Sequence, residues 1–193
     1  LRGGKVVGRI LAQVDHAHLK QQQDATGHFG LLDAEDDPAI FATLLKAAED
    51  WLRQRGMKAS AGPYSVSIND EVGQMIEGFN ERSMLLMPYG PPYAPGRIEQ
   101  AGYAKLMDLY SYEYDVRKAP VTIGQRLIER YAKGRVKVRP VDMSRFADEL
   151  LVAIDIFNDA WQDNWGFVPI TKEEMQAAAK TMKPLVDPRL IWL

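Results

Sequence analysis

The chain has 193 residues, a length typical of one domain or of one domain plus part of another. Hydrophobic residues make up 46% of it and charged residues 26%, which is ordinary for a globular protein. The absence of cysteine excludes disulfide scaffolds, thiolate nucleophiles and iron–sulfur ligation. The formal net charge is −2, so we expect no nucleic-acid partner. No apolar run approaches the roughly 20 residues of a membrane span, so we expect no membrane partner either.

Both ends of the chain resemble interior sequence. The first residue is Leu1, and the last is Leu193, directly after the apolar pair Ile191 and Trp192. We therefore expect the chain to be a fragment of a longer protein. No signal peptide is recognisable, which predicts a cytoplasmic location.

The first part of the chain alternates between strand and helix patterns. Apolar patterns predict strands at residues 6–14, 27–32 and 61–68, with a polar connection at 21–24. A helix is predicted to begin at Pro38, because Asp37 is a good N-cap and proline is favoured at the first helical position. Gly56 is expected to stop that helix.

The middle of the chain is less regular. Residues 72–95 are rich in Gly, Pro, Met and Tyr, and a loop of this length is usually functional or disordered. A short helix is predicted at 97–101 and a strand at 107–116. Residues 117–134 form a basic connector, which we interpret as a solvated linker or an inter-domain seam, with contact to RNA as the alternative.

A new set of elements follows the connector. A strand is predicted at 136–139, a helix from about Ser144, and a further helix opened by a capping box at Thr171. We therefore divide the chain into a domain at 1–116, the connector at 117–134 and the start of a second, incomplete domain at 135–193. The predicted class is mixed α/β (α+β).

Several short motifs resemble the Gcn5-related N-acetyltransferase (GNAT) superfamily. Residues 27–32 resemble the central strand that pairs with the pantetheine arm of acetyl-CoA, and 38–55 resemble the helix that faces the coenzyme pyrophosphate. Residues 66–69 and 98–103 resemble the next strand and the close of the next helix. The resemblance implies a GNAT-like mixed sheet flanked by helices. The C-terminal half of one copy would precede the N-terminal half of a second, as in bacterial tandem-GNAT proteins, and the copies would pack together.

The resemblance also implies an activity. Such a protein transfers an acetyl or other acyl group from acyl-CoA to a small-molecule amine, and the amine attacks the thioester carbonyl directly. Backbone amides of Phe29, Gly30 and Leu31 would bind the coenzyme and polarise that carbonyl. Asp70 and Glu71, with Asn69, follow a strand expected to end near the cleft, so a carboxylate there would deprotonate the amine, directly or through water. A turn with a helix cap is the alternative interpretation.

Two candidate residues concern the substrate. Ile98 stands where the family often has a tyrosine that protonates the leaving thiolate, and isoleucine has no proton to donate. Tyr89, Tyr93 and Tyr103 are candidates for the lost role, and Tyr93 is also a candidate for substrate binding, with packing under the long loop as the alternative. Trp165 is expected on a substrate-facing surface, because Gly166 and polar neighbours end the helical pattern there. A packed inter-helix loop is the alternative for Trp165.

Other features argue against a standard coenzyme site. The stretch 33–38 has four acidic residues, no glycine and no arginine where the family has a glycine-rich phosphate loop. One interpretation is that this stretch is only a well-capped helix start and that the first copy has lost its coenzyme site. The other is that the stretch belongs to a coenzyme site with unusual phosphate contacts. His16 and His18 would share one strand face and, with His28 and either Asp15 or Asp24, form a weak metal candidate. We expect surface histidines and no metal.

The leading function is therefore a GNAT-like N-acyltransferase. One alternative is a non-catalytic GNAT-like module that binds a small molecule or a partner domain, which the acidic stretch supports. The other is a transferase of the tandem-GNAT type that uses aminoacyl-tRNA, which only the basic connector supports.

Overall fold

The computed structural model describes residues 1–84, 86–113 and 137–193, together with residues 115, 117, 126, 129, 130, 134 and 135. The strands in these residues are β1 (Gly8–Gln13), β2 (Thr26–Ala34), β3 (Ala59–Ala61), β4 (Tyr64–Ser65) and β5 (Glu71–Val72). The helices are α1 (His16–Gln22), α2 (Pro38–Arg53), α3 (Ala94–Gln100), α4 (Phe146–Trp161) and α5 (Lys172–Met182). Single 3₁₀ turns occur at Met143–Arg145 and Lys183–Leu185. The predicted mixed α+β class is confirmed, whereas the tandem-GNAT arrangement stays a prediction.

The main sheet has three strands in the order β1-β2-β3. β1 is antiparallel to β2, and β2 is parallel to β3 through the crossover helix α2. The β1–β2 register shifts between Arg9 and Leu11, so that residues 31 and 32 of β2 lie opposite one residue of β1. This irregularity is a β-bulge in the central strand. β4 and β5 form a separate antiparallel pair.

Helix α2 forms as the sequence predicts. The Asp37 carboxylate accepts a hydrogen bond from the Ala39 amide, and Pro38 occupies the first turn. The apolar stripe of α2 is buried against the sheet, where Phe29 of β2 is fully enclosed. The buried residues of this stripe are Ile40, Phe41, Leu45, Ala48 and Leu52.

The polar connection predicted at 21–24 is wrong in part, because its first two residues, Gln21 and Gln22, are the end of helix α1. Asp15 caps this helix by accepting hydrogen bonds from the amides of Ala17 and His18. The prediction that His16 and His18 share a strand face is therefore wrong, since both lie on a helix. His16 is exposed and His18 is buried.

Two predicted strands differ from the structure. The strand predicted at 61–68 is interrupted by Pro63, which has no amide to donate, and by Val66, whose φ of +96° turns the chain away. Only β3 and β4 form, and residues 66–69 are not a strand. Residues 107–113 are also not in a strand, while 114 and 116 of that prediction lie outside the described residues.

The chain divides into two compact units. Unit 1 contains Leu1–Leu109 and Gln162–Pro169, and unit 2 contains Tyr110–Trp161 and Ile170–Leu193. Residues 162–169 thus pack with unit 1 and not with the segments beside them in sequence. Most of the predicted connector lies outside the described residues, and the division into two GNAT-like copies stays a prediction.

Unit 2 is organised around α4 and α5. The predicted capping box is present, since the Thr171 hydroxyl accepts from the Glu174 amide and the Glu174 carboxylate accepts from the Thr171 amide. The predicted strand at 136–139 does not form over 137–139. Instead, the chain on either side of Pro140 pairs with residues 191–193 through a single bridge. Among the described helices, none is both long enough and apolar enough to cross a membrane.

Candidate functional site

The β-bulge lies at the predicted coenzyme-binding residues. Phe29 is fully buried under α2, whereas the Leu31 side chain is 43% exposed. Leu31 has a φ of +46°, an uncommon conformation for a residue other than glycine. A bulge leaves part of the backbone outside the ladder, and bulges are frequent beside active sites. The bulge therefore coincides with the residues predicted to bind the coenzyme, whose coenzyme role stays a prediction.

Gly30 lies where another segment passes very close to β2. A Cβ atom at Gly30 would overlap the backbone carbonyl of Tyr64. Only glycine permits this approach between β2 and β4. Beyond the contact, the chain leaves β4 at Val66, whose side chain is exposed.

A polar cluster occupies the face of β2 that carries His28. The His28 ring lies 4.6 Å from the His18 ring, edge to face, and 4.4 Å from the Tyr64 ring, measured between centroids. The His18 Nε2 atom lies 3.1 Å from an Asp24 carboxylate oxygen. Gln13 is paired with His28 across the β1–β2 ladder and donates a hydrogen bond to the Val66 carbonyl. These residues, His18, Asp24, His28 and Tyr64, are called the histidine cluster below.

The electrostatics of the histidine cluster favour a neutral His28. Burial, together with the neighbouring His18, lowers the pKa of His28 to about 4. For Asp24, burial is outweighed by hydrogen bonds from the Thr26 amide and His18, so the pKa of this carboxyl is lowered. Burial raises the pKa of Tyr64. His28 Nε2 is buried and has no hydrogen-bond partner among the described residues.

Residues Gln162–Pro169, called the strap below, are fastened to two elements of unit 1. The Gln22 side chain at the end of α1 donates to the Phe167 carbonyl at 2.7 Å. The Asn69 side chain donates to the Val168 carbonyl at 3.1 Å. Phe167 and Val168 are buried. The strap therefore connects α1 with the loop after β4.

The predicted catalytic residues lie in and after that loop. Asn69 holds the strap, and Asp70 accepts a hydrogen bond from the Ser67 hydroxyl at 2.7 Å within a turn. Glu71 begins β5 and is exposed. The structure thus gives Asp70 a local partner that matches the turn interpretation, whereas the Asn69 side chain has a partner distant in sequence. Their catalytic roles stay predictions.

The predicted substrate residues occupy different surroundings. The Tyr93 hydroxyl donates to the Ala34 carbonyl at the end of β2, at 2.8 Å, and its ring packs against the core. Trp165 lies in the strap and is 42% exposed, in agreement with a surface position. Ile98 is buried in the core. The hydroxyl of Tyr103 donates to Ser60, and burial raises the pKa of Tyr103 to about 12. Substrate binding by Tyr93 and Trp165 stays a prediction.

The acidic stretch before α2 is paired with basic residues of unit 1. Lys5 contacts Glu35 at 2.7 Å, and Arg2 contacts Asp37 at 2.9 Å. Arg97 of α3 contacts Asp36 at 2.7 Å. Because Asp37 also caps α2, its own carboxylate occupies the place where a phosphate would meet the helix amides.

The histidines do not form a metal-binding group within the described part of the chain. No three His, Asp or Glu side chains there are arranged to hold a metal ion. The structure brings His18 and His28 together but does not bring His16 to them. A shallow cavity between α4 and α5, bordered by Phe146, Ala179, Lys180 and Lys183, contains none of the predicted site residues.

Comparisons with known proteins identify two relatives that match this chain along its whole length. It is 46% identical over 192 residues, 99% of its length, to a protein named bacterial ceramide synthase from Caulobacter vibrioides. It is 40% identical over its whole length to Protein YghO from Escherichia coli. The chain spans about half the length of these two relatives, 50% and 49%. No protein-family model matches the chain. No solved structure matches it either.

Proposed function

We propose that the full-length protein is an N-acyltransferase that joins an acyl group from an acyl-CoA thioester to an amine. The observation that carries this proposal is the 46% identity, over 99% of the chain, to a protein named bacterial ceramide synthase. A ceramide is an amide formed from a fatty acid and the amino group of a long-chain amino alcohol. We therefore propose a long-chain amino alcohol as the acceptor and a fatty acyl thioester as the donor.

The bulge in β2 supports an acyl-transfer site in unit 1. When an amine attacks a thioester, the carbonyl oxygen gains negative charge, which a fixed amide donor stabilises. Leu31 presents backbone outside the regular ladder, next to the close contact between Gly30 and Tyr64. We propose that the thioester carbonyl lies at this bulge.

The acidic stretch limits how the coenzyme would bind. The amides at the start of α2 face the Asp37 carboxylate, and Glu35 and Asp36 add negative charge beside it. These charges repel a pyrophosphate. We propose that the phosphates of the donor are bound away from the N-terminus of α2, and that acetyl-CoA alone binds this half of the protein weakly.

The test is an acyl-transfer assay on the full-length protein. Hexadecanoyl-CoA and, separately, acetyl-CoA are incubated with sphinganine, a long-chain amino alcohol. Released coenzyme A is measured as free thiol, to which this chain contributes no background because it has no cysteine. Mass spectrometry detects the amide. We expect thiol and amide to appear in equal amounts, with hexadecanoyl-CoA the better donor.

The same assay separates this function from a non-catalytic one. The ion pairs of the acidic stretch favour the alternative that this half is a GNAT-like binding module. If sphinganine binds but neither thiol nor amide forms with either donor, the N-acyltransferase proposal is wrong and the binding module is supported.

A further inference from the structure

His28 has an unused hydrogen-bonding atom inside unit 1. Its side chain is 2% exposed, and Nε2 has no partner in the described part of the chain. Buried polar atoms are almost always paired, and an unpaired one destabilises the fold. Such an atom is expected where a ligand supplies the missing partner.

The neighbours of His28 define what kind of partner fits. Asp24 pairs with His18, so its carboxylate is already engaged there. A neutral imidazole with its proton on Nδ1 presents Nε2 as a hydrogen-bond acceptor. Because burial lowers the pKa of His28 to about 4, the ring is neutral at pH 7. For this tautomer the fitting ligand group is a donor, such as a primary amine.

His28 is also close to the bulge along the strand. His28 and Gly30 lie on the same face of β2, about 7 Å apart at the usual rise per residue. Leu31, at the bulge, follows immediately. An amine held at His28 would thus lie two residues from Gly30 along β2, beside the point where the Tyr64 carbonyl packs on that glycine.

The strap spans the elements that enclose His28. His18 belongs to α1, and Tyr64 belongs to β4. The strap is bonded to Gln22 at the end of α1 and to Asn69 in the loop after β4. The strap is therefore bonded close in sequence to both elements that carry the ring neighbours of His28.

We propose that His28 Nε2 accepts a hydrogen bond from the primary amine of the acceptor substrate. This assignment rests on the proposed N-acyltransferase function. It makes His28 a substrate-binding residue.

The test is nuclear magnetic resonance of the histidine rings in full-length protein labelled with ¹⁵N-histidine. This chain contributes three histidines, and their signals are assigned with His16→Gln, His18→Gln and His28→Gln variants. Hexylamine is the probe. Hexyltrimethylammonium is the matched control, because it has the same chain but no N–H donor. His16, exposed on α1, is the internal reference.

We expect hexylamine to move the His28 Nε2 signal, and the control cation to leave it in place. An unmoved His28 signal, or equal shifts at His16 and His28, would overturn the assignment. This titration uses the wild-type protein, so it remains decisive if the His28→Gln variant does not fold.

Turnover provides a separate readout. In the acyl-transfer assay, His28→Gln is expected to raise KM for the amine roughly tenfold, the value of about one hydrogen bond, with a smaller change in kcat. His16→Gln should change neither. A His28 shift without wild-type turnover would disprove the proposed function and keep the amine site. Turnover without a His28 shift would disprove the amine site alone.

Discussion

His28 makes the stability of unit 1 depend on pH. In the folded protein its pKa is lowered from 6.5 to about 4, chiefly by burial. Between these values the unfolded chain binds more protons than the folded chain, so stability falls as the pH decreases. We expect the free energy of unfolding to drop by about 1–2 kcal/mol between pH 7 and pH 5.

Urea unfolding at pH 7, 6 and 5 measures this dependence. The His28→Gln variant should lose most of it, whereas His16→Gln should keep it, because His16 is exposed. Equal pH dependence in the wild type and in His28→Gln would show that another group is responsible.

Gly30 tests the contact between β2 and β4. Alanine there would place its Cβ on the Tyr64 carbonyl, a backbone atom that cannot rotate away. We expect Gly30→Ala to lower the free energy of unfolding by at least about 3 kcal/mol, or to prevent folding.

Gly96→Ala is the matched control, because Gly96 lies in α3 and an added methyl group would have no neighbouring atom within 4 Å. Alanine should leave stability unchanged there, or raise it by up to about 1 kcal/mol. Similar stability losses in the two variants would contradict the close approach at Gly30.

At the scale of single elements, α2 depends on its cap. Asp37→Ala removes the hydrogen bond to the Ala39 amide and the ion pair with Arg2. We expect the urea midpoint to fall by roughly 0.5 M. Asp36→Ala, which removes only a surface ion pair with Arg97, should have a smaller effect. A larger loss in Asp36→Ala would mean that the ion pair, and not the cap, is the stabilising feature.

The sequence predicts α2 well, because Asp37, Pro38 and the apolar stripe all indicate the same helix. It predicts α1 poorly, because the polar residues after Asp15 lack an apolar stripe and match a connection equally well. The residue types at 61–68 are typical of a strand. However, the strand is interrupted where Val66 has a positive φ and where the Tyr64 backbone packs against Gly30. A pattern of residue types indicates neither feature.

Only the part of the candidate site formed by consecutive residues of β2 can be predicted from the sequence. Phe29, Gly30 and Leu31 can be placed on the central strand, but the bulge at Leu31 cannot. The proximity of His18 and His28 depends on how α1 folds back. The contacts of the strap join residues 145 and 99 positions apart in sequence, and no local pattern indicates such pairs.

At the scale of the whole molecule, Glu149 is central to the hydrogen bonds that link Arg139 to α4 in unit 2. Its side chain is buried and accepts hydrogen bonds from both terminal nitrogens of Arg139, at 2.6 and 3.1 Å. The Arg139 guanidinium holds the pKa of Glu149 below its usual value. We expect Glu149→Gln to accelerate hydrogen exchange in peptides from 137–161 and 170–193, because it leaves the Arg139 charge poorly compensated.

Peptides from β2 and from the strap should keep their wild-type exchange rates, since both belong to unit 1. Asp155→Asn, at an exposed position on α4, is the control and should change neither unit. Faster exchange throughout the chain in Glu149→Gln would show that the two units unfold together.

The strap limits where this protein can be truncated. The chain passes from one unit to the other after residues 109, 161 and 169, so no single cut separates the units. A truncation after residue 116 would leave the side chains of Gln22 and Asn69 without the carbonyls they bind, and would uncover the surface beneath Phe167 and Val168. Such a truncated protein is expected to aggregate, and a synthetic peptide of residues 162–169 added in trans should restore its solubility.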